Sequence, residues 1–446
     1  MVFSEGELPS CRKTFSALVV FCVLLMVTFL NPPHWSIPEV ARETLQPSPL
    51  EKYHDESLTF DLQHILRAKE GNISTFYNFS TSFHTRRDSQ VYHMRITPTT
   101  VPPLKETDQT LPLVNFRKCK PVSRIVFLKT HKTASTTTAS IFERYGYYRN
   151  LTFAIGRTHI LSYTYKFSHL NLMKFPGMEG KPFDILCNHA RYNRKEMDLV
   201  VPDATYVTIL RRPEKQIDSA FGYFEMYRGM KLGMETNPLK AFMKEPRKYY
   251  KEHKYHMWQE SRNGMLFDLG FDHKYDDDEA KILQKINELD AEFDLVMIAE
   301  YFDESLLLLK KLLCWEFEDI LYLSSGVRSL SHRYELDEDL IKRLREWSHG
   351  DSLLYNHFNT TFWKKVADYG PTFEADLKHF RQLNRAVFQD CIAENQMNKK
   401  DRREDKFMLK NKSERCAAIL RADVPYTGLI RKSMVARFSP KPSSVT

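Results

Sequence analysis

Eight consecutive residues, Lys129, Thr130, His131, Lys132, Thr133, Ala134, Ser135 and Thr136, hold two lysines, a histidine and four hydroxyls without one carboxylate. The apolar run Ile125–Leu128 precedes them, and a stretch of helical character follows to about Tyr147. A loop between a buried strand and a helix exposes backbone N–H groups at the positive end of the helix dipole, a combination that binds phosphate or sulfate. The ATP-loop pattern G-x-x-x-x-G-K-[ST] is absent, because no glycine lies between Phe127 and Tyr145. A magnesium-nucleotide site of the usual NTPase kind is therefore not expected. A second anion-suited group is Arg211 at the end of Thr205–Leu210, with Pro213 and Glu214 opening a helix and Ser219 eight residues on. An arginine there can grip a phosphate through two parallel bonds. A third strand, Phe183–Cys187, leads into Asn188, His189, Ala190 and Arg191. Ligands of open α/β sheets bind beyond the carboxyl ends of the strands, and here three strand ends carry suitable residues. A neutral histidine accepts a proton near pH 7. His189 is the candidate base, with His131, inside the lysine-flanked loop, as the alternative. No HExxH or paired CxxC spacing occurs, so no metal is required.

Positioning such groups calls for short apolar strands alternating with amphipathic helices, the pattern of an α/β domain with a parallel sheet. Asp294–Ala299 reads as the fourth strand, leading into a helix over Asp303–Cys314 whose leucines Leu306–Leu309, Leu312 and Leu313 face the core. The strand Thr205–Leu210 leads into a helix over Glu214–Tyr227. Beyond Glu335 the pattern is mostly helical to about Gln396. The formal charge of +8 lies wholly in residues 399–446, which carry 13 Lys/Arg against five Asp/Glu. The body is thus neutral and is not a nucleic-acid surface, and segment 398–446 reads as a mobile basic tail. Arg328 and Arg333 lie in a late loop, and Tyr255, His256 and Trp258 could form a sugar-stacking surface or simply pack.

The chain also carries a 16-residue uncharged run, Phe15–Leu30, after Arg12 and Lys13. It is short for a spanning helix but suits a thin early-secretory membrane. No small-x-small cleavage site follows it, which favours an uncleaved anchor over a signal peptide, with the N-terminus cytosolic. Residues 1–14 would be a cytosolic tail, 15–30 the anchor, 31–116 a stem holding nine of the 21 prolines, and 117–397 the catalytic domain. Five glycosylation sequons, at Asn72, Asn78, Asn150, Asn359 and Asn411, all follow the anchor, as expected of a luminal body. Disulfides are then possible among Cys119, Cys187, Cys314, Cys391 and Cys416, with at least one cysteine left over and the pairing open.

The blocks FLKTHKTAS, NHARY, TILRRP and Glu300–Tyr322 resemble, in this order, the galactose 3-O-sulfotransferases (cerebroside sulfotransferase group), over about residues 117–395. The resemblance implies a P-loop-NTPase-like parallel sheet flanked by helices and a type II protein of the Golgi membrane. It implies the donor 3′-phosphoadenosine 5′-phosphosulfate (PAPS) and a galactose-terminated glycolipid or glycan as acceptor. Lys129, Lys132, Thr133, Ala134, Ser135 and Thr136 would then hold the 5′-phosphosulfate, and Arg211 and Ser219 the 3′-phosphate. Lys132 would also serve in catalysis, with His189 or His131. Ala134 stands where many sulfotransferases have glycine, and the tail after 398 has no evident counterpart. Transfer to another sugar hydroxyl, or a non-catalytic glycan-binding role on the same fold, stays open, as does the oligomeric state. A luminal kinase would need a magnesium-holding acid near the loop, and Lys129–Thr138 has none. Expressed in cells, the protein should partition with membranes and shift in mass on N-glycosidase treatment; a secreted, unglycosylated full-length product would refute this topology.

Overall fold

The computed structural model describes residues 119–252, 255–323, 327–328, 333–398 and 404–439. The Phe15–Leu30 run, the stem and the sequons at Asn72 and Asn78 lie outside the described residues. Among the described residues no helix is long and apolar enough to cross a membrane.

Four parallel strands form the central sheet: β1 (Ile125–Leu128), β2 (Ile185–Leu186), β3 (Thr205–Leu210) and β4 (Leu295–Ile298), in the order β2-β1-β3-β4. All four residues of β1 are 0% exposed, as a central strand covered on both faces requires. The register Ile125↔Ile185, Phe127↔Val207 and Thr208↔Val296 brings every carboxyl end to the same edge. After β1 the chain crosses to β2 on one side and then returns past β1 to β3. The order therefore reverses beside β1, where α/β sheets open a ligand crevice. Strand β2 is shorter than the sequence suggests because its outer partner is irregular: Phe153 bridges Ile185, and the Ala154 N–H donates to the Ile185 carbonyl at 2.8 Å.

The principal helices are α1 (Ser135–Tyr148), α2 (Pro213–Tyr223), α3 (Gly264–Asp268), α4 (Glu279–Glu292), α5 (Phe302–Leu313), α6 (Glu338–Trp347), α7 (His349–Ala367), α8 (Phe373–Cys391), α9 (Glu414–Leu420) and α10 (Asp423–Phe438). Helix α5 buries Leu306, Leu307, Leu309 and Leu313 completely, the core face that its leucine spacing predicts. Helix α2 ends four residues earlier than expected, since Glu225 turns to φ 48°. The long C-terminal helical stretch stops at Cys391. There the chain enters β5 (Ile392–Asn398), which pairs antiparallel with β6 (Glu404–Leu409). Cys119 is joined to Cys314 and Cys391 to Cys416, leaving Cys187 free and buried.

The mobile-tail reading of 398–446 fails for residues 404–438. Helix α10 lies against α1 and carries Tyr426, Ile430 and Met434, all 2% exposed or less. These three recur every fourth residue on one narrow stripe, which the surrounding basic residues obscure in the sequence. The Tyr426 hydroxyl donates to the Ala418 carbonyl at 2.7 Å, and Arg437 Nη2 to the Asn150 carbonyl at 2.8 Å. Tyr426→Ala should destabilise the domain by about 3–5 kcal/mol, the usual cost of emptying a buried aromatic site. Denaturant unfolding would measure this, and a change near zero would return the tail to the mobile class.

Candidate functional site

The loop after β1 has to turn sharply, and it does so without glycine. Lys132 and Ala134 both take left-handed backbone, φ 62° and 65°, a conformation that favours glycine. Buried hydroxyls brace the turn. Thr130 Oγ1 donates to the Ile209 carbonyl of β3 at 2.5 Å and lies 2.7 Å from Thr133 Oγ1. Ser135 Oγ donates to the Thr130 carbonyl at 2.5 Å. Ala134 is exposed and Thr136 half-buried at the amino end of α1, the position where helix dipole and free N–H groups favour an anion.

The cations of the site divide into two groups. Lys132 is half-buried, with its ammonium 3.5 Å from the Tyr223 ring centre. Arg211, half-buried at the end of β3, donates from Nη1 to the Lys132 carbonyl at 3.1 Å, which ties two of the expected anion-binding residues together. Glu300, two residues beyond β4, accepts the Arg212 N–H at 3.1 Å and so fixes how the chain leaves β3. Ser219 is buried two turns into α2. By contrast, Lys129 is 4% exposed and its ammonium pairs with Asp423 of α10. Arg191 also turns away from the crevice. Its guanidinium donates to the carbonyls of Phe267, Thr164 and Phe271 and to Asp272, so it braces loops.

The two histidines meet. The rings of His131 and His189 stack at 4.1 Å between centres and 13° between planes. His189 Nδ1 lies 3.2 Å from the Lys129 carbonyl; a carbonyl only accepts, so Nδ1 carries the hydrogen and Nε2 keeps a lone pair. Desolvation first, then the charge of Lys129, hold the His189 imidazole well below its ordinary 6.5. It is neutral at pH 7. His131 has a partner that its sequence neighbours do not suggest. Its ring Nδ1 sits 2.9 Å from both Asp268 oxygens, and its backbone N–H donates to Asp268 at 2.6 Å. Glu260 approaches the same Nδ1 at 3.3 Å. Burial, followed by the charges of Asp268 and Asp351, pushes the Glu260 carboxyl far up, so it holds its proton. His131, Glu260 and Asp268 have ligand atoms within 4.8 Å of one another, and hydrogen bonding to His131 already accounts for the Asp268 oxygens.

Helix α3 places Asp268. Asp351 caps it, accepting the N–H groups of Met265 and Leu266 at 3.1 and 2.9 Å. Gly264 is needed there because a Cβ would stand 2.6 Å from Glu260 Oε2. Nothing local in the sequence marks Asp268, Glu260 or Asp423 as belonging to the site. Of the three expected sugar-stacking residues, Tyr255 is buried with its hydroxyl 2.9 Å from Ser261 Oγ, and Trp258 packs on Tyr250 and His273. Only His256 is exposed, edge-on to Phe224, which in turn lies 6.1 Å from His131. Arg333 is exposed, and the side chain of Arg328 is outside the described residues. The left-handed φ of Ala134 makes Ala134→Gly a relaxing substitution. It should stabilise by about 0.5–1 kcal/mol, the left-handed penalty less the extra entropy of an unfolded glycine. A melting midpoint raised by about 1–3 °C is expected; a lowered one would contradict the geometry.

Known proteins are similar to this chain over much of its length. The family model for galactose-3-O-sulfotransferase matches residues 77–435. It begins inside the segment read as stem and runs through the C-terminal helices, so the segment after 398 does have a counterpart in the family. Galactosylceramide sulfotransferase of Homo sapiens is 38% identical over 280 residues, covering 62% of this chain and 65% of that protein. The Bos taurus protein of the same name is 37% identical over 279 residues, 61% of this chain and 65% of its own length. Galactose-3-O-sulfotransferase 3 of Mus musculus is 34% identical over 311 residues, 68% and 69% of the two chains. The matched region thus spans about two thirds of these relatives. With the family model covering well over half of its residues, the chain belongs to the galactose-3-O-sulfotransferase family.

Proposed function

We propose that the protein moves the sulfuryl group of PAPS to the 3-hydroxyl of a galactose residue in a glycolipid or glycoprotein glycan, within the Golgi lumen. The observation that carries this reading is the meeting of an acid-free, lysine-bearing loop with a neutral, oriented histidine at adjacent strand ends. The donor set suits a nucleotide that carries two separate anionic groups. Lys132, the Thr136 hydroxyl and the N–H groups at the amino end of α1, with Ala134 at its start, would hold the 5′ side, and the buried hydroxyls of Thr133 and Ser135 would keep the loop in shape for it. Arg211 and Ser219 would hold the 3′-phosphate. PAPS supplies the sulfuryl group when bound. Transfer is an in-line displacement, helped mainly by positioning and charge neutralisation.

His189 takes the proton of the acceptor hydroxyl on Nε2 as the oxygen–sulfur bond forms. Its Nδ1–H bond to the Lys129 carbonyl keeps the ring facing that way. Lys132 offsets the charge that builds on the phosphate as the old sulfur–oxygen bond breaks. His131, held by Asp268, supports the loop and the stacked ring of His189. Lys129 contributes its carbonyl and its field, since its ammonium is turned to Asp423.

Transfer of labelled sulfate from PAPS to a panel of galactosides, with linkage analysis of the product, tests the reading; absence of 3-sulfated galactose would defeat it. His189→Ala should lower turnover by about 10²–10⁴, the usual worth of a general base, and leave nucleotide binding in place. His131→Ala should weaken both. Because the imidazole of His189 is held below 6.5, the acidic limb of the wild-type rate profile should lie below that pH and vanish in the residual activity of His189→Ala. Near-normal turnover in His189→Ala, with nucleotide binding intact in an inactive His131→Ala, would make His131 the base.

A further inference from the structure

Helix α10 reaches the reacting histidine by two routes. Through Asp423 it holds the Lys129 ammonium, and the carbonyl of the same lysine fixes His189 Nδ1 at 3.2 Å. One turn further along, Thr427 accepts from Asn188 Nδ2 at 2.8 Å, so it holds the residue before His189. Thr427 also donates to Glu143 of α1 at 2.7 Å. Asp423 is itself held, its Oδ1 accepting the Val424 N–H at 2.9 Å. Every member of this set is buried, with Lys129 4%, Asn188 4%, Asp423 7%, Thr427 1% and Glu143 1% exposed.

From this double grip we propose that the Asp423–Lys129 pair, brought to the site by the C-terminal helix, is the device that positions His189 for transfer. Asp423 and Lys129 are positioning residues and touch no substrate. The proposal rests on His189 acting as the base, as argued above. The charge balance of the cluster fits the role. Burial, then the charge of Asp423, pushes the Glu143 carboxyl far up, so Glu143 holds a proton and Asp423 alone answers Lys129. The groups facing His189 are Lys129 and His131 of the β1 loop, His159 of the covering loop, and through them Glu143 of α1 and Asp423 and Arg431 of α10. Of these, the Lys129 ammonium acts on the His189 ring more strongly than either histidine does.

The experiment follows two readouts on the full chain: sulfate transfer, and ionisation of the His189 ring by NMR of 13C-labelled histidine, assigned by signal loss in His189→Gln. Lys129→Met combined with Asp423→Leu replaces the buried pair by apolar side chains, a change that folds commonly tolerate. This double variant should keep its melting midpoint within a few degrees. It should lose about 10–100-fold in kcat, the scale of a small misplacement of a reacting group. Its affinity for 3′,5′-adenosine bisphosphate should change by less than about threefold, because Lys132, Arg211 and Ser219 are untouched. With the ammonium gone, His189 should titrate at higher pH. Asp423→Glu should restore most of the turnover that Asp423→Asn loses. Unchanged kcat in the double variant, a fall matched by equal loss of nucleotide affinity, or an unmoved His189 titration would each overturn the proposal. If the wild type transfers no sulfate, the functional reading fails instead, and the NMR readout still decides the pair. If Asp423→Asn does not fold, the apolar double variant decides.

Discussion

A single bond between the Thr130 hydroxyl and the Ile209 carbonyl ties the loop after β1 to the neighbouring strand. The loop depends on it because it has no glycine with which to turn. Two left-handed residues, Lys132 and Ala134, hold a conformation that a free peptide would leave, and the surrounding hydroxyl bonds over-determine it. The tie also sets the height of the loop above the sheet. From that height follow the contact of Arg211 with the Lys132 carbonyl and the reach of His131 to Asp268.

Around this fixed point the polar interior is arranged by burial. Asp351, pushed up to about 7 mainly by desolvation, caps α3. Asp268 at the end of α3 receives both the backbone and the ring N–H of His131. Glu260 sits beside them fully buried and protonated. The cluster keeps a proton on Glu260, since burial and then the like charges of its neighbours raise its proton affinity. It leaves each histidine of the stacked pair with a different acceptor: a carboxylate for His131 and a carbonyl for His189. Two chemically identical rings in contact are thereby given different work.

The parts legible in the sequence are those with a local cause. Strands β1 and β3 stand where their apolar, β-branched runs place them, and Lys132, Arg211 and His189 come to one sheet edge because parallel strands put their carboxyl ends together. Arg191 shares that edge by sequence, yet its side chain leaves it for loop carbonyls that only the folded chain supplies. Asp268 and Asp423 lie 137 and 294 residues from the loop positions they hold, and no periodicity or spacing encodes a contact at such range. The cysteines were countable but their pairing was not. The C-terminal helices are not legible because three apolar residues on a narrow stripe are outweighed by basic composition.

The bridge between Cys119 and Cys314 has a mechanical meaning. It joins the chain six residues before β1 to the residue that closes α5. A pull arriving along the backbone from the N-terminal side is therefore passed at Cys119 into α5 through a covalent bond. It does not act first on β1, whose removal would take the loop, Thr130 and the Lys129 carbonyl with it. The strand that carries the reactive loop is shielded from tension by a bond that bears the load before any hydrogen bond of the sheet is asked to.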